Sequence, residues 1–208
     1  MVTRKEQKAE TRARILSAAA SEFAVHGFAA TSIGSIAAAM GQPKSAISYS
    51  QFRSKQEIAI AVMTQQMERW RGLREEVDAS ASPGLPRLLS LLLAAALDSR
   101  ENPFSLATVR LIVESRRLGV LDVPDVVFRW YEYADAQMIE AAQLGQLPAD
   151  TDAVAAGRLI LSASFGLFEA ENNRLRPVDT AAALQTLWRR LLIGFGADAD
   201  AVLLSVRR

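Results

Sequence analysis

The stretch GFAATSIGSIAAAMGQPKSAISYSQFRSKQEIAIA, Gly27 to Ala61, decides how this chain folds. Thr31 and Ser32 supply hydroxyls suited to capping a helix start. Ile33, Ile36, Ala37 and Met40 then recur at helical spacing, which gives a short amphipathic helix with one buried face. Gly41-Gln42-Pro43 ends it, because Gly stops helices and Pro suits the first turn of the next one. A second short helix is predicted from about Lys44 to Phe52. Its polar side chains are Lys44, Ser45, Ser48, Tyr49, Ser50 and Gln51, and only Ala46, Ile47 and Phe52 can hold it against neighbours. A helix so short and polar is not stable alone and needs a scaffold to carry it. Two short helices joined by a glycine-bearing turn have the form of a helix-turn-helix. The second helix of such a unit can lie in the major groove of DNA.

Upstream, a first helix is predicted from about Lys8 to His26, with Ile15, Leu16, Ala19, Phe23 and Ala24 on its inner face and Gly27 as its stop. Residues 1 to about 8 read as a polar, frayed arm whose Arg4, Lys5 and Lys8 are candidates for touching a phosphate backbone. Downstream, Ser54 and Glu57 have the spacing of a capping box and start a long helix that runs to about Val77. The free amides at that start, together with Lys55, suit a phosphate oxygen, and Thr31 and Ser32 suit the same role at the other short-helix start.

The combined pattern resembles the N-terminal DNA-binding domain of the TetR (tetracycline repressor) family. The residues that carry it are Phe23, Gly27 to Ile33, Ile36-Ala37, Gly41 and Tyr49 to Ile58, with Thr11 to Ala19 resembling that family's opening helix. It covers roughly residues 9 to 62. One departure stands out: the segment from Gly41 to Phe52 is one residue longer than the common pattern, with Ser48 interposed between Ile47 and Tyr49. One inserted residue rotates side chains by about 100°, so the helix must bulge or the turn must absorb it.

The charge balance agrees with a nucleic-acid-facing head. Net charge is +1 overall, but residues 1–60 hold 8 Lys+Arg against 4 Asp+Glu (+4), and residues 61–208 hold 16 against 19 (−3). All the lysines (Lys5, Lys8, Lys44, Lys55) fall in the first segment. A basic head on a mildly acidic body suits one face approaching a polyanion.

After the loop Asp78 to Gly84, five more helices are predicted, at roughly Leu85–Ser99, Pro103–Leu118, Pro124–Leu144, Asp152–Asn172 and Asp179–Phe195; Asp198 to Arg208 adds a last short helix or a tail. The expected fold is all-α: a three-helix helix-turn-helix domain over residues 1–60 and a helical body over residues 61–208. The resemblance implies that the body binds a ligand and dimerises. Phe104, Leu106, Val109, Phe128, Trp130, Tyr131, Tyr133 and Met138 cluster on its middle two helices, and aromatics beside Arg110 and Glu114 suit a largely apolar pocket with a few polar anchors. Ordinary core packing explains the same spacing.

The region Val109 to Phe168 is also similar to the γ-butyrolactone autoregulator receptor branch of that family. The similar points are Val109-Arg110-Leu111, Trp130 on the next helix, Ala141 to Leu147, and Ala163-Ser164-Phe165-Gly166. The resemblance implies a small lactone-like or otherwise lipophilic effector, with Phe104, Arg110, Trp130 and Phe165 as candidate contacts.

Small residues on the helix from Asp152 (Ala155, Ala156, Gly157, Gly166) and the apolar stripe Leu184, Leu187, Trp188, Leu191 on the last long helix point to a homodimer formed through helices within 152–195, with intrachain packing as the alternative. A head that reads one half-site needs a partner, so a roughly palindromic operator in double-stranded DNA is expected.

Other classes fare worse. The chain has no cysteine and one histidine, His26, which reads as a cation near a helix C-terminus. There is no phosphate-cradling glycine loop and no nucleophile elbow, so neither an enzyme nor a metal site or cofactor is expected. A helical protein-interaction module without sequence-specific DNA binding would explain the body, but not the basic head. No unbroken apolar run reaches a membrane span, since Leu88 to Leu97 is too short, and the N-terminus has no signal-peptide core. A cytoplasmic location is expected.

Overall fold

A computed structural model of the protein describes residues 3–47, 51–121, 123, 129–172 and 179–207. Among these residues every regular element is a helix: α1 (Arg4–Ala30), α2 (Ile33–Ala39), a 3-10 turn (Lys44–Ala46), α3 (Lys55–Ser80), α4 (Leu85–Glu101), α5 (Pro103–Leu118), α6 (Trp130–Gln143), α7 (Ala153–Asn172), α8 (Thr180–Gly194) and α9 (Ala199–Leu204). The chain divides into two compact units, one of residues 1–69 with 99–127 and one of residues 70–98 with 128–208.

In the first unit α1 packs along α5 and against α2. Ile15, Leu16 and Phe23 of α1, Ile36 of α2, Phe52, Ile58 of α3 and Leu111 of α5 are all buried. At about 1.5–3 kcal/mol for each fully buried large apolar side chain, this shared core holds the two short elements that could not stand alone. The N-terminus differs from its expectation. From Arg4 onward it is helix rather than a frayed arm, because Thr3 caps α1 through a reciprocal box: Glu6 N donates to Thr3 Oγ1 at 3.2 Å, and Thr3 N donates to the Glu6 carboxylate at 2.6 Å. That bond holds the Glu6 carboxyl below its ordinary value. α1 also runs past His26 to Ala30, with a break at Gly27 (φ 75°, ψ −178°).

α2 opens on a second box, Ser32 with Ser35, and closes on a Schellman motif in which Gln42 N donates to Ala37 O and Gly41 N to Ala38 O, both at 2.9 Å. Gly41 takes the left-handed conformation that this closure requires (φ 65°).

The predicted helix from Lys44 to Phe52 is not continuous. The 3-10 turn ends at Ala46, and Ile47 leaves helical geometry (φ −88°, ψ 82°). Residues 48–50 lie outside the described residues.

The second unit packs α6 against α7, α7 against α8 and α8 against α9. Leu88 and Leu89 of α4, Met138 of α6, Ile160 of α7, and Trp188 and Leu192 of α8 form its core. Trp188 is fully buried, and its indole N–H donates to Ser164 Oγ at 2.9 Å, so the large ring enters the core without an unpaired donor. α6 is described from Trp130, and the predicted start at Pro124 falls among residues outside the description. α7 departs from the sequence expectation on membrane spans. Ala153–Glu171 is long and apolar enough by length and composition (mean hydropathy 1.4), although only 28% of that stretch is buried. The apolar character comes from small and branched residues spread around the helix rather than from one unbroken run. It leaves Leu159 49% and Phe165 44% exposed.

Candidate nucleic-acid interface

The polar groups named from the sequence separate into two sets. Ser32, Lys44 and Ser45 are exposed, on the cap of α2 and on the turn behind it. Ser48 and Tyr49 lie outside the described residues. The others are turned to structural work. Thr31 is 2% exposed and donates through Oγ1 to Gly27 O at 2.7 Å, so its hydroxyl is not offered to a phosphate. Gln51 is 9% exposed. Its Nε2 donates to Lys8 O at 3.1 Å, and its own carbonyl accepts from Arg12 Nη1 at 2.9 Å. Burial therefore corrects both as base- or phosphate-contacting residues.

Lys55 has a different position from the one expected of a free phosphate contact. Its Nζ donates to Phe28 O at 2.6 Å and Thr31 O at 2.8 Å, and lies 4.2 Å from the centre of the Phe28 ring. Desolvation lowers its pKa, and the nearby Glu114 charge opposes that shift. At the start of α3, Ser54 Oγ accepts from Glu57 N at 3.1 Å, as the capping-box spacing predicts; the reciprocal bond falls one residue earlier, from Arg53 N to Glu57 at 2.7 Å.

Sequence reasoning missed Arg12. Its guanidinium sits 4.0 Å over the Phe52 ring and, with the bond to Gln51 O, ties α1 to the segment that follows the turn. A cation–aromatic contact across 40 residues has no local spacing rule that the sequence could show.

The ligand candidates fall in different units. Phe104 and Arg110 lie on α5 in the first unit, and Trp130 and Phe165 lie in the second. Arg110 is engaged by protein groups on both sides. It pairs with Glu114 at 3.0 Å, and its Nη1 donates to Val25 O at 2.9 Å and Ala24 O at 3.3 Å. Trp130 is half-buried and meets Trp70 edge to face, with centroids 5.6 Å apart. Phe165 points outward and stacks on Phe168 at 6.3 Å. Among the described residues no three His, Cys, Asp or Glu side chains gather to hold a metal ion.

An exposed basic turn behind a doubly capped short helix, carried by a helical core, defines the class of helix-turn-helix DNA-binding regulators. Residues 15–62 match the family model for bacterial regulatory proteins of the tetR family. The match spans the helix-turn-helix head, so residues 15–62 are similar to the DNA-binding domain of that family.

Three solved structures show how far the likeness extends. One, from work on the molecular basis for control of antibiotic production by bacterial hormones, is 29% identical, with 96% of this chain and 98% of that one covered and a TM-score of 0.67. A γ-butyrolactone receptor described as ArpA-like is 23% identical over 96% and 95% of the two chains, with a TM-score of 0.76. CprB from Streptomyces coelicolor, solved in complex with its operator sequence, is 24% identical over 96% of each chain, with a TM-score of 0.78. No curated protein matches the chain.

Proposed function

We propose that this protein is a ligand-responsive repressor that binds a roughly palindromic operator as a homodimer and is released by a small lipophilic effector. The observation that carries the DNA half of this reading is the exposed Lys44-Ser45 turn held behind the Ser32-capped α2. The operator complex of CprB, which has the same fold, supports it. In this reading residues 1–60 are the DNA-binding head and residues 61–208 the effector-binding and dimerisation body. Lys44, Ser45, Ser48 and Tyr49 meet the bases, Ser32 meets a phosphate, and Lys55 sets the position of the head. The protein works beside chromosomal DNA in the cytoplasm.

The dimer forms through α7 and α8, where Leu159, Phe165 and Ile193 leave apolar surface exposed on one unit. The effector is lactone-like: the hormone-linked structure and the γ-butyrolactone receptor support a signal of that chemistry, with Trp130 as its wall. Its differential affinity for two arrangements of the heads sets how far it can release DNA.

The test is selection of bound duplexes from a random DNA pool. A pool that converges on an inverted repeat supports the reading, and a pool that stays random after repeated rounds overturns it.

A further inference from the structure

The break in α1 at Gly27 leaves backbone groups without helical partners, and side chains take up several of them. Arg110 donates to the carbonyls of Ala24 and Val25 on the near side of the break. Thr31 closes Gly27 O. Glu114, one turn along α5 from Arg110, accepts Phe28 N at 2.7 Å on the far side. Lys55 of α3 takes Phe28 O and Thr31 O. Glu114 sits so close that a Cβ at Gly27 would meet its carboxylate at 2.0 Å.

We propose that Glu114 is a positioning residue for DNA recognition: through the Phe28 amide it fixes the angle at which the chain leaves α1 and enters α2, and so the direction in which the Lys44 turn faces. Phe28 to Ala30 form a single helical turn before the Ser32 cap, so any swing at the break is carried directly into the helix-turn-helix. The apolar core of the head does not set this angle by itself. Phe23 and Ile36 are buried on either side of the break, but the chain between them is held by charged side chains from two other helices. Hydrogen bonds to charged groups are directional and roughly twice as strong as neutral ones, which suits them to fixing an angle.

This proposal rests on the DNA-binding function above, and the experiment separates the two. The full-length protein, Glu114→Ala and Glu114→Gln are titrated by fluorescence anisotropy against the duplex recovered by selection and against a scrambled duplex of equal length, with thermal midpoints recorded for each. Glu114→Ala is expected to weaken binding to the selected duplex roughly tenfold and to leave the scrambled duplex within about twofold, because exposed cations still meet phosphates. Glu114→Gln keeps an oxygen acceptor for Phe28 N and is expected to recover most of the loss. If Glu114→Ala does not fold, Glu114→Asp, which withdraws the carboxylate by about 1.5 Å, gives the same selective loss.

Equal affinity of Glu114→Ala and the unaltered protein for the selected duplex would overturn the proposal. So would parallel loss on both duplexes, or a Gln variant as weak as the Ala variant. A protein that selects no duplex at all sinks the DNA-binding function instead.

Discussion

The carboxylate of Glu114 accepts the backbone amide of Phe28 at 2.7 Å, across 86 positions of sequence. The bond is made possible by Gly27, whose missing Cβ gives that carboxylate its space and whose φ of 75° is a conformation that glycine adopts without strain.

Gly27→Ala therefore meets two obstacles, a left-handed backbone and a clash. It is expected to cost about 2–4 kcal/mol of unfolding free energy in urea, from backbone strain plus displacement of the carboxylate. Gly41→Ala is the control. Its φ is 65°, but nothing lies within 4 Å of the added Cβ, so the loss is expected to be about 1 kcal/mol. Equal losses at the two sites would contradict the close packing of Glu114.

Trp188→Ala is expected to destabilise the second unit by about 3–5 kcal/mol, since it empties a fully buried indole site. Ser164→Ala leaves the indole N–H buried without its 2.9 Å partner and is expected to cost about 1–3 kcal/mol. Urea unfolding followed by tryptophan fluorescence reads both, and a neutral Ser164→Ala would mean that water reaches the indole.

Tyr133 supplies a pH signature. Burial, reinforced by its 2.7 Å hydrogen bond to Asp78, holds the phenol well above its ordinary value of about 10. A folded-state pKa raised above the unfolded one gives stability that is fully present below pH 10 and is lost as pH rises beyond it. The urea midpoint should thus fall more steeply above pH 10 in the unaltered protein than in Tyr133→Phe. Parallel curves would show that the phenol ionises freely in the folded state.

The dimer predicted through α7 and α8 is checked by sedimentation velocity. Leu159→Glu with Ile193→Glu places charges on apolar positions that are 49% and 57% exposed. The double variant is expected to sediment as a monomer with unchanged helicity. If it dimerises as strongly as the unaltered protein, the interface lies elsewhere.

Much of the fold was legible because it rests on local rules. The Ser32 cap, the Gly41 stop, the Asn102-Pro103 start of α5 and the Asp179 cap of α8 each act within a few residues of their own position. The Thr3–Glu6 box follows the same rule, and the charged character of the first residues masked it.

The site was legible in part. Lys44 and Ser45 are exposed, as their polarity implies, but Gln51 and Thr31 are equally polar and are buried. What separates them is which carbonyls stand nearby once α1 has folded back on the segment after the turn. The roles of Arg110, Glu114 and Lys55 have the same origin: they answer to backbone groups freed at Gly27, and a charged side chain's spacing along its own helix carries no record of a break in another.

The most direct test of the central claim, that the Lys44 turn reads duplex DNA, is the affinity of the full-length protein for its selected duplex and for a scrambled one, measured across a salt series. The account predicts that the selected duplex binds at least about a thousandfold tighter at physiological salt, with the logarithm of affinity falling linearly against the logarithm of salt concentration. Equal binding of the two duplexes, or an affinity that does not change with salt, would contradict it.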